Sequence, residues 1–313
     1  MLCAVALAGA ALLATACGSD ERDGATARAM PATTTPAAPP APAALAPRAR
    51  ADRFDGSAAF ALLREQVQEY GWRPAGSPAL RRLAVRLRSL MPRGRFEAIP
   101  GHPRLRNVVA TVPGRRPAIV VAAHYDVEAV PEGFVGANDG AAGTAAVVTL
   151  ARAFAKARRP RGARELRFVL FDGEEEPAGC EPFESCGLRG SRAYAARHAR
   201  NVSRLVLLDY IAEKRGLRFP REQGSDPALW RQLRRAASAV GVGSLFPAET
   251  LSGAVIDDHT PFTRRGVRAI DIIDFLYPQR DSLEDDLDAV SQRSLDAVGE
   301  AVHLLVSRLW RSR

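Results

Sequence analysis

The sequence predicts an α/β fold of three layers, in which helices cover both faces of a mostly parallel central sheet. Five short apolar runs have the length and the Leu-rich or β-branched composition of buried strands. They lie at residues 107–112, 118–123, 166–171, 205–209 and 269–273. Helical segments separate most of these runs, and strands that alternate with helices predict a mostly parallel sheet between two helical layers.

Six segments are predicted to be helices. The first two, at residues 54–70 and 78–91, carry apolar residues at helical spacing and precede the strands. The other four separate or follow the strands, at residues 141–157, 188–197, 227–240 and 292–310. Together with the strands they predict one folded domain over residues 53–313.

The first 52 residues differ in composition from the rest of the chain. Residues 2–16 form an unbroken run of apolar and small residues, too short for a comfortable membrane span, so residues 1–16 are predicted to be a signal peptide. Residues 17–52 are rich in Ala, Pro and Thr and offer little apolar surface to bury. This segment is predicted to be a disordered tether.

The predicted export determines which roles are expected for the cysteines. Cys17 comes directly after small residues at the end of the apolar run, which is similar to a bacterial lipoprotein signal with Cys17 as the lipid-modified N-terminus. A plain secretory signal is the alternative. The protein is therefore expected either on the outer face of the bacterial cytoplasmic membrane, touching it only through a lipid anchor, or secreted. Outside the cytoplasm, Cys180 and Cys186 can form a disulfide that closes a small loop.

The net charge of +9 raises the question of an anionic partner. The excess consists mostly of Arg residues scattered along the chain, and no basic stripe interleaved with aromatic residues is present in the sequence. Nucleic acid is therefore not an expected partner.

Acidic and His residues follow the ends of the predicted strands. Ligands of open α/β sheets bind beyond the carboxyl ends of the strands, so these side chains are expected to meet at one edge of the sheet. They are His124, Asp126, Asp139, Glu174, Glu175, Asp209, Asp257 and His259. Carboxylates and imidazoles on rigid supports are ligands for a dication such as zinc, so a metal centre is predicted there.

The spacing of these residues indicates how their roles divide. Glu174 and Glu175 are adjacent on a turn, so one can bind metal while the other faces the substrate. Asp126 lies two residues after His124 and is expected to orient its imidazole.

These motifs resemble those of the superfamily of zinc aminopeptidases and glutaminyl-peptide cyclotransferases. Segments 124–126, 136–139, 171–175, 208–209 and 257–262 occur in the order seen in that superfamily, and the resemblance covers residue 53 to the C-terminus. It is closer to the cyclotransferase branch, in part because Asp257 precedes Asp258 and His259 where aminopeptidases commonly have Ser. The resemblance implies a zinc exopeptidase-like fold.

The resemblance also implies roles for individual residues. Asp139 and Glu175 are implied to bind metal, with Glu174 as the general acid/base. In the cyclotransferase branch one zinc is typical, and Asp209 and Asp257 form a carboxylate network with Glu174. The same pattern in the aminopeptidase branch implies two zinc ions.

In that second case, His124 and Asp209 hold the second zinc, which Asp139 bridges. Asp126 and His259 are expected to contact the ligands and the base rather than the metal.

One departure from the superfamily concerns the last metal ligand. Asp281 stands where the superfamily has a His, which implies an all-carboxylate set of Asp139, Glu175 and Asp281 that binds zinc less selectively than a set with His. Arg280 and Ile256 replace a Trp and a Gln of the substrate pocket. The alternative is a degenerate site in a non-catalytic binding lipoprotein.

The function implied by the resemblance is that of a zinc-dependent enzyme acting on the N-terminal residue of peptides or proteins. The expected reaction is that of a glutaminyl-peptide cyclotransferase, which forms pyroglutamate and releases ammonia. A zinc-dependent aminopeptidase is the alternative. The residues leave open the choice between cyclisation and hydrolysis, the number of metals and the oligomeric state.

Overall fold

The computed structural model describes residues 43–312. The predicted signal peptide at residues 1–16, the lipidation site Cys17 and most of the predicted tether lie outside the described residues. No helix within residues 43–312 combines the length and the apolar content that a membrane crossing requires.

The end of the predicted tether packs against the folded domain. Residues 43–52 contain no helix or strand. Ala46 is nevertheless buried, and the backbone N–H of Arg50 donates to the carbonyl of Val240 at 2.8 Å. The last residues of the predicted tether therefore make apolar and backbone contacts with the domain.

The predicted central sheet is confirmed. It has six strands: β1 Arg95–Ala98, β2 Arg106–Val112, β3 Arg115–His124, β4 Arg164–Phe171, β5 Val202–Asp209 and β6 Arg268–Ile273. Their order is β1-β2-β4-β3-β5-β6, with β4, β3, β5 and β6 parallel and the β1–β2 and β2–β4 pairs antiparallel. The sequence predicted all of these strands except β1, a short, half-exposed edge strand without an apolar run.

All six predicted helices are present. The helices are α1 Gly56–Glu65, α2 Pro78–Leu90, α3 Gly143–Lys156, α4 Phe183–Cys186, α5 Arg189–His198, α6 Pro227–Ala239, α7 Thr260–Thr263 and α8 Gln292–Arg311. The sequence did not predict α4 and α7, because a single turn shows no periodicity. Side-chain caps fix several helix starts: the side chains of Ser77, Asp226 and Ser291 accept backbone N–H groups at the starts of α2, α6 and α8.

Side chains that alternate along β3 enter two separate cores, which makes the fold three-layered. Ile119 and Val121 pack in a cluster with residues of α1, α3 and α8. Val120 and Ala122 pack in a second cluster that includes Tyr194 of α5. Both faces of the sheet are therefore covered, as the near-continuous apolar strands predicted.

The start of α3 lies directly against the end of β5. A Cβ atom at Gly143 would lie 2.2 Å from the carbonyl oxygen of Leu208, so only Gly permits this approach. The close packing brings the turn before α3 beside the carboxyl ends of the strands.

A buried pair of carboxyl groups just beyond the ends of β5 and β6 provides a test of the fold by pH. The carboxyl groups of Glu213 and Asp274 form a side-chain hydrogen bond, and burial together with Asp274 raises the pKa of Glu213 to about 9. The folded protein therefore keeps a proton that the unfolded chain, with an ordinary glutamate, loses near pH 4.5. Since the folded state binds more protons between these pH values, stability falls as pH rises from about 4.5 through 9.

Glu213→Gln is expected to raise the melting temperature at pH 8 by about 3 °C or more and to flatten its decline between pH 6 and 9. Gln resembles the protonated glutamate and can still donate to Asp274. Differential scanning calorimetry across this pH range is the measurement, with the exposed Glu249→Gln as control. A Glu213→Gln protein with the wild-type pH dependence would contradict the assignment.

Candidate metal centre

The predicted polar residues meet at the carboxyl edge of the sheet. His124 ends β3, Asp209 ends β5, and Glu174 and Glu175 lie on the turn after β4. Asp139 lies on the irregular turn before α3. All five side chains are buried, each with a relative exposure of 7% or less.

The imidazole of His124 is the common member of two groups of ligands. Its Nε2 lies 3.1 Å from Oδ1 of Asp139 and 3.3 Å from Oδ1 of Asp209. These three residues offer ligand atoms within 4.8 Å of one another, and His124, Glu174 and Glu175 form a second such group. An imidazole with several buried carboxylates is a donor set that zinc accepts, so the residues fit the predicted metal.

Asp126 does not orient His124 as predicted. Its Oδ1 lies 3.9 Å from Nδ1 of His124, which has no hydrogen-bond partner among the described residues. The carboxylate instead accepts the backbone N–H groups of Glu174 and Glu175, each at 3.2 Å. Asp126 therefore holds the turn that carries both glutamates.

Asp285 holds the Asp139 turn in the same way, although no sequence pattern indicated this role. Its two carboxylate oxygens accept the N–H groups of Asn138 at 2.9 Å and Asp139 at 3.0 Å. The Asn138 side chain in turn accepts the N–H of Ala212 at 2.7 Å, just past the end of β5. The turn is thereby tied to two other parts of the chain.

A fully buried arginine lies near these carboxylates. Arg73 donates from one guanidinium nitrogen to the carbonyl of Val135 at 2.5 Å and from the other to that of Gly136 at 3.2 Å. Burial lowers the pKa of Arg73 to about 10, against the opposing effect of Asp139 and Asp285. The guanidinium stays charged at neutral pH and offsets part of the negative charge.

Asp281, the predicted third ligand, lies beside the two ligand groups but in neither of them. The hydroxyl of Tyr210 donates to Oδ2 of Asp139 at 2.7 Å and lies 3.3 Å from Oδ1 of Asp281. Asp281 is exposed and pairs with Arg280 at 3.3 Å. The described geometry therefore favours His124 over Asp281 as the partner of the carboxylate ligands, because its imidazole lies between them.

The site opens into a cavity of about 260 Å³. Carboxylates form one side, including Asp139, Glu174, Glu175, Asp209, Asp257 and Asp281. Val255, Ile256, Ile273 and Phe275 form an apolar part of the lining. Glu128, which the sequence did not indicate, also lines the cavity.

Burial and mutual repulsion shift the pKa values of these groups. Burial raises the pKa values of Glu174 and Glu175 well above the ordinary range, and neighbouring carboxylates add to the effect. Burial raises the pKa of Asp209 to about 7 and that of Glu128 to about 8. Burial alone would lower the pKa of His124, but hydrogen bonds to Asp139 and Asp209 raise it. Such a cluster can hold and exchange protons near neutral pH.

Asp257 lines the cavity and His259 does not, although the two side chains lie close together. Asp257 lines the cavity, as expected of a member of the carboxylate network with Glu174 and Asp209. His259 lies behind it, with Nε2 3.5 Å from Oε1 of Glu222 and Nδ1 3.7 Å from Oδ2 of Asp271. His259 therefore contacts carboxylates beyond the cavity rather than the ligands His124 or Glu175.

Cys180 and Cys186 form a disulfide. The loop that it closes carries Phe183, which lines the cavity. After the loop, the N–H of Leu188 donates to the carbonyl of Glu174 at 2.7 Å. The disulfide loop is thus continuous with the turn that carries Glu174.

A doubly covered sheet whose carboxyl edge carries these ligand groups is the framework of a metal-dependent α/β enzyme. The comparison with protein families gives the particular family. Residues 107–306 match the model of Peptidase family M28, so the chain belongs to Peptidase family M28.

The similar proteins include glutaminyl cyclases and zinc exopeptidases, so the resemblance to this superfamily is confirmed. Glutaminyl-peptide cyclotransferase of Bothrops jararaca is 27% identical over 245 residues, which cover 66% of this chain and 66% of that relative. The crystal structure of an Acidobacteriales bacterium glutaminyl cyclase is 26% identical, has a TM-score of 0.72, and the match covers 91% of this chain and 99% of that one. A Zn-dependent exopeptidase from Parabacteroides distasonis shares the fold, with 20% identity, a TM-score of 0.71, and coverage of 84% and 100%.

Proposed function

We propose that this chain is a zinc-dependent enzyme that converts N-terminal Gln of peptides to pyroglutamate with release of ammonia. The observation that carries the proposal is the position of Glu174, a buried carboxyl group that lines the cavity and lies next to Glu175 and His124 in the second ligand group. The similarity to glutaminyl cyclases in sequence and structure supports the same reaction.

The residues that would hold zinc are Asp139, Glu175 and His124, with Asp209 next to them. When bound, zinc supplies a Lewis acid that polarises the side-chain amide carbonyl of the substrate. Repulsion from Asp139 helps to raise the pKa of Glu175, and a cation bound between these carboxylates would relieve it.

Glu174 moves the proton in this proposal. It accepts a proton from the α-amine as the amine nitrogen attacks the side-chain amide carbon of Gln. It then delivers the proton to the departing amide nitrogen, which leaves as ammonia. A raised pKa suits both halves of this task, because the carboxyl group must take up a proton and release it within one turnover.

The rest of the cavity suits a free N-terminus. Glu128, Glu176 and Asp281 add carboxyl groups around the ligand groups, and their oxygens can accept hydrogen bonds from an N-terminal amino group. The apolar lining formed by Ile256 and Phe275 can pack against the methylene groups of the substrate.

An aminopeptidase is the second candidate, and one observation favours it. The group of His124, Asp139 and Asp209 is the set that the aminopeptidase branch uses for a second zinc. With two metals, Glu174 would deprotonate water and protonate the leaving amine of the peptide bond.

The two candidates differ in their products. Peptide amides that begin with Gln and with Leu are incubated with the purified protein and zinc, and ammonia and free amino acids are measured. We expect ammonia and an N-terminal pyroglutamate from the Gln peptide, without cleavage of its backbone. Release of free Leu or Gln would favour the aminopeptidase, whereas zinc-loaded protein without any turnover would favour a non-catalytic binding protein.

We also propose that the protein works outside the cytoplasm, as a lipoprotein or a secreted enzyme. The Cys180–Cys186 disulfide supports this location, because such bonds persist in oxidising compartments. Fractionation of the producing bacterium with detection of the chain tests this proposal; detection in the cytoplasm alone would contradict it.

A further inference from the structure

A third group of ligand atoms lies behind the cavity and shares no residue with the other two groups. Asp257, His259 and Asp271 are all buried and offer one ligand atom each within 4.8 Å of one another. Asp271 lies within β6, on the strand next to β5, and the other two precede α7. One turn and one strand therefore position all three side chains.

Each member of this group has a side-chain atom without a hydrogen-bond partner among the described residues. These atoms are Oδ2 of Asp257, Nδ1 of His259 and both carboxylate oxygens of Asp271. Buried polar atoms are nearly always paired, because an unpaired one loses its hydration without compensation. The side chains of Asp257 and Asp271 lie close enough to share a proton. A cation between these two carboxylates and the imidazole nitrogen would give the unpaired atoms of all three side chains a partner.

Glu222 completes the arrangement on the far side of the imidazole. It is fully buried, and its Oε1 lies 3.5 Å from Nε2 of His259, whereas Nδ1 faces Asp271 at 3.7 Å. Its other oxygen accepts the N–H groups of Gly224 at 2.5 Å and Val255 at 3.3 Å, which fix the carboxylate. Oε1 of Glu222 forms no hydrogen bond among the described residues, so its contact with Nε2 is electrostatic. A carboxylate on that side of the imidazole is in the place from which such a group orients a His whose other nitrogen binds a metal.

We infer that Asp257, His259 and Asp271 bind a divalent metal ion, zinc or a similar transition metal, separate from the metal of the catalytic groups. One nitrogen and two carboxylate oxygens form a donor set of the kind that zinc takes, and water can supply the fourth position. Asp257 also lines the cavity, so an ion can reach the group from there. The second ion would hold Asp257 in place beside the carboxylate network of Glu174.

The experiment counts metal ions in purified full-length protein. The protein is stripped of metal with a chelator and dialysed against a slight excess of Zn²⁺. Bound zinc is then measured by inductively coupled plasma mass spectrometry. We expect Asp271→Asn to bind one equivalent less than the wild type. Asp139→Asn, which damages the catalytic groups, is expected to keep the equivalent that Asp271→Asn loses, and the double variant to lose both.

Two further measurements make the count specific. His259→Gln removes the imidazole alone and is expected to lose the same equivalent as Asp271→Asn. Glu300→Gln changes another fully buried carboxylate, which belongs to none of the three groups and accepts the N–H of Phe54 at 2.6 Å. This variant is expected to keep the wild-type zinc count. Circular dichroism and thermal unfolding establish that each variant is folded.

Co²⁺ gives an independent readout of the same group. Visible absorption bands of Co²⁺ bound to Asp139→Asn protein are expected to disappear in the double variant with Asp271→Asn. Equal metal counts in folded wild type, Asp271→Asn and His259→Gln would overturn the inference. Failure of the proposed function would be seen separately, as absent turnover or as an unchanged zinc count in Asp139→Asn, while the loss of one equivalent in Asp271→Asn would remain.

Discussion

Glu174→Gln is expected to lower kcat for N-terminal cyclisation by about 10²–10⁴-fold, the range typical of a lost general acid/base. Gln keeps the size and the polar character of the side chain but can neither accept nor deliver the proton. The zinc content should stay within a few tenths of an equivalent of the wild type, because Asp139, Glu175 and His124 remain. Initial rates of ammonia release under saturating substrate, together with metal analysis of the same sample, are the measurements.

Glu176→Gln is the matched control for this prediction. Glu176 is two residues from Glu174, lines the same cavity and is less buried. It is a member of neither ligand group, so its replacement should change kcat by less than about 10-fold and act mainly through KM. If Glu174→Gln retained wild-type kcat, the proton would move through another group, and Asp257 would be the next candidate to test.

The strands and the edge at which they end could be predicted because their signals are local. Residues 118–123 and 166–171 are apolar runs whose burial on both faces leaves few alternatives to a central strand. Once those runs were placed in a parallel sheet, His124 and Glu174 had to lie at one edge. The sequence therefore predicted that these side chains lie close together at this edge, while their roles stay predictions.

The contacts that hold those members could not be predicted, because they come from distant parts of the chain. Asp285 accepts the N–H of Asp139 from 146 residues away, and nothing near Asp285 in sequence marks it as buried. Asp126 was assigned to His124 because it was close in sequence, whereas its carboxylate points to the turn after β4. Asp271 did give a signal: an Asp inside the apolar run of a predicted buried strand.

The position of Asp281 shows the limit of a role carried over from a resemblance. An alignment matches one residue to another, but the side chain's reach depends on the backbone at that point. At Asp281 the backbone has a positive φ of 58° and the side chain turns to Tyr210 and Arg280. Asp281 still lines the cavity, so its role as a ligand stays a prediction. Nε2 of His124 lies 3.1 Å from Asp139 and 3.3 Å from Asp209.

The ligand set that the geometry favours predicts unequal effects of two aspartate substitutions. Asp139→Asn is expected to weaken zinc binding at the catalytic groups by more than about 100-fold, since it removes a buried anionic ligand next to His124. Asp281→Asn should weaken it by less than about 10-fold, because Asp281 is exposed and reaches Asp139 only through the hydroxyl of Tyr210.

Competition with a chromophoric zinc chelator measures both affinities, and activity at fixed free zinc should follow the same order. Asp281→Asn serves as the control for the loss of one negative charge around the cavity, because it changes the charge by the same amount as Asp139→Asn. An equal loss of affinity in both variants would place Asp281 on the metal and return the site to an all-carboxylate set. A much larger loss in Asp139→Asn would instead show that Asp139 binds the catalytic ion and Asp281 does not.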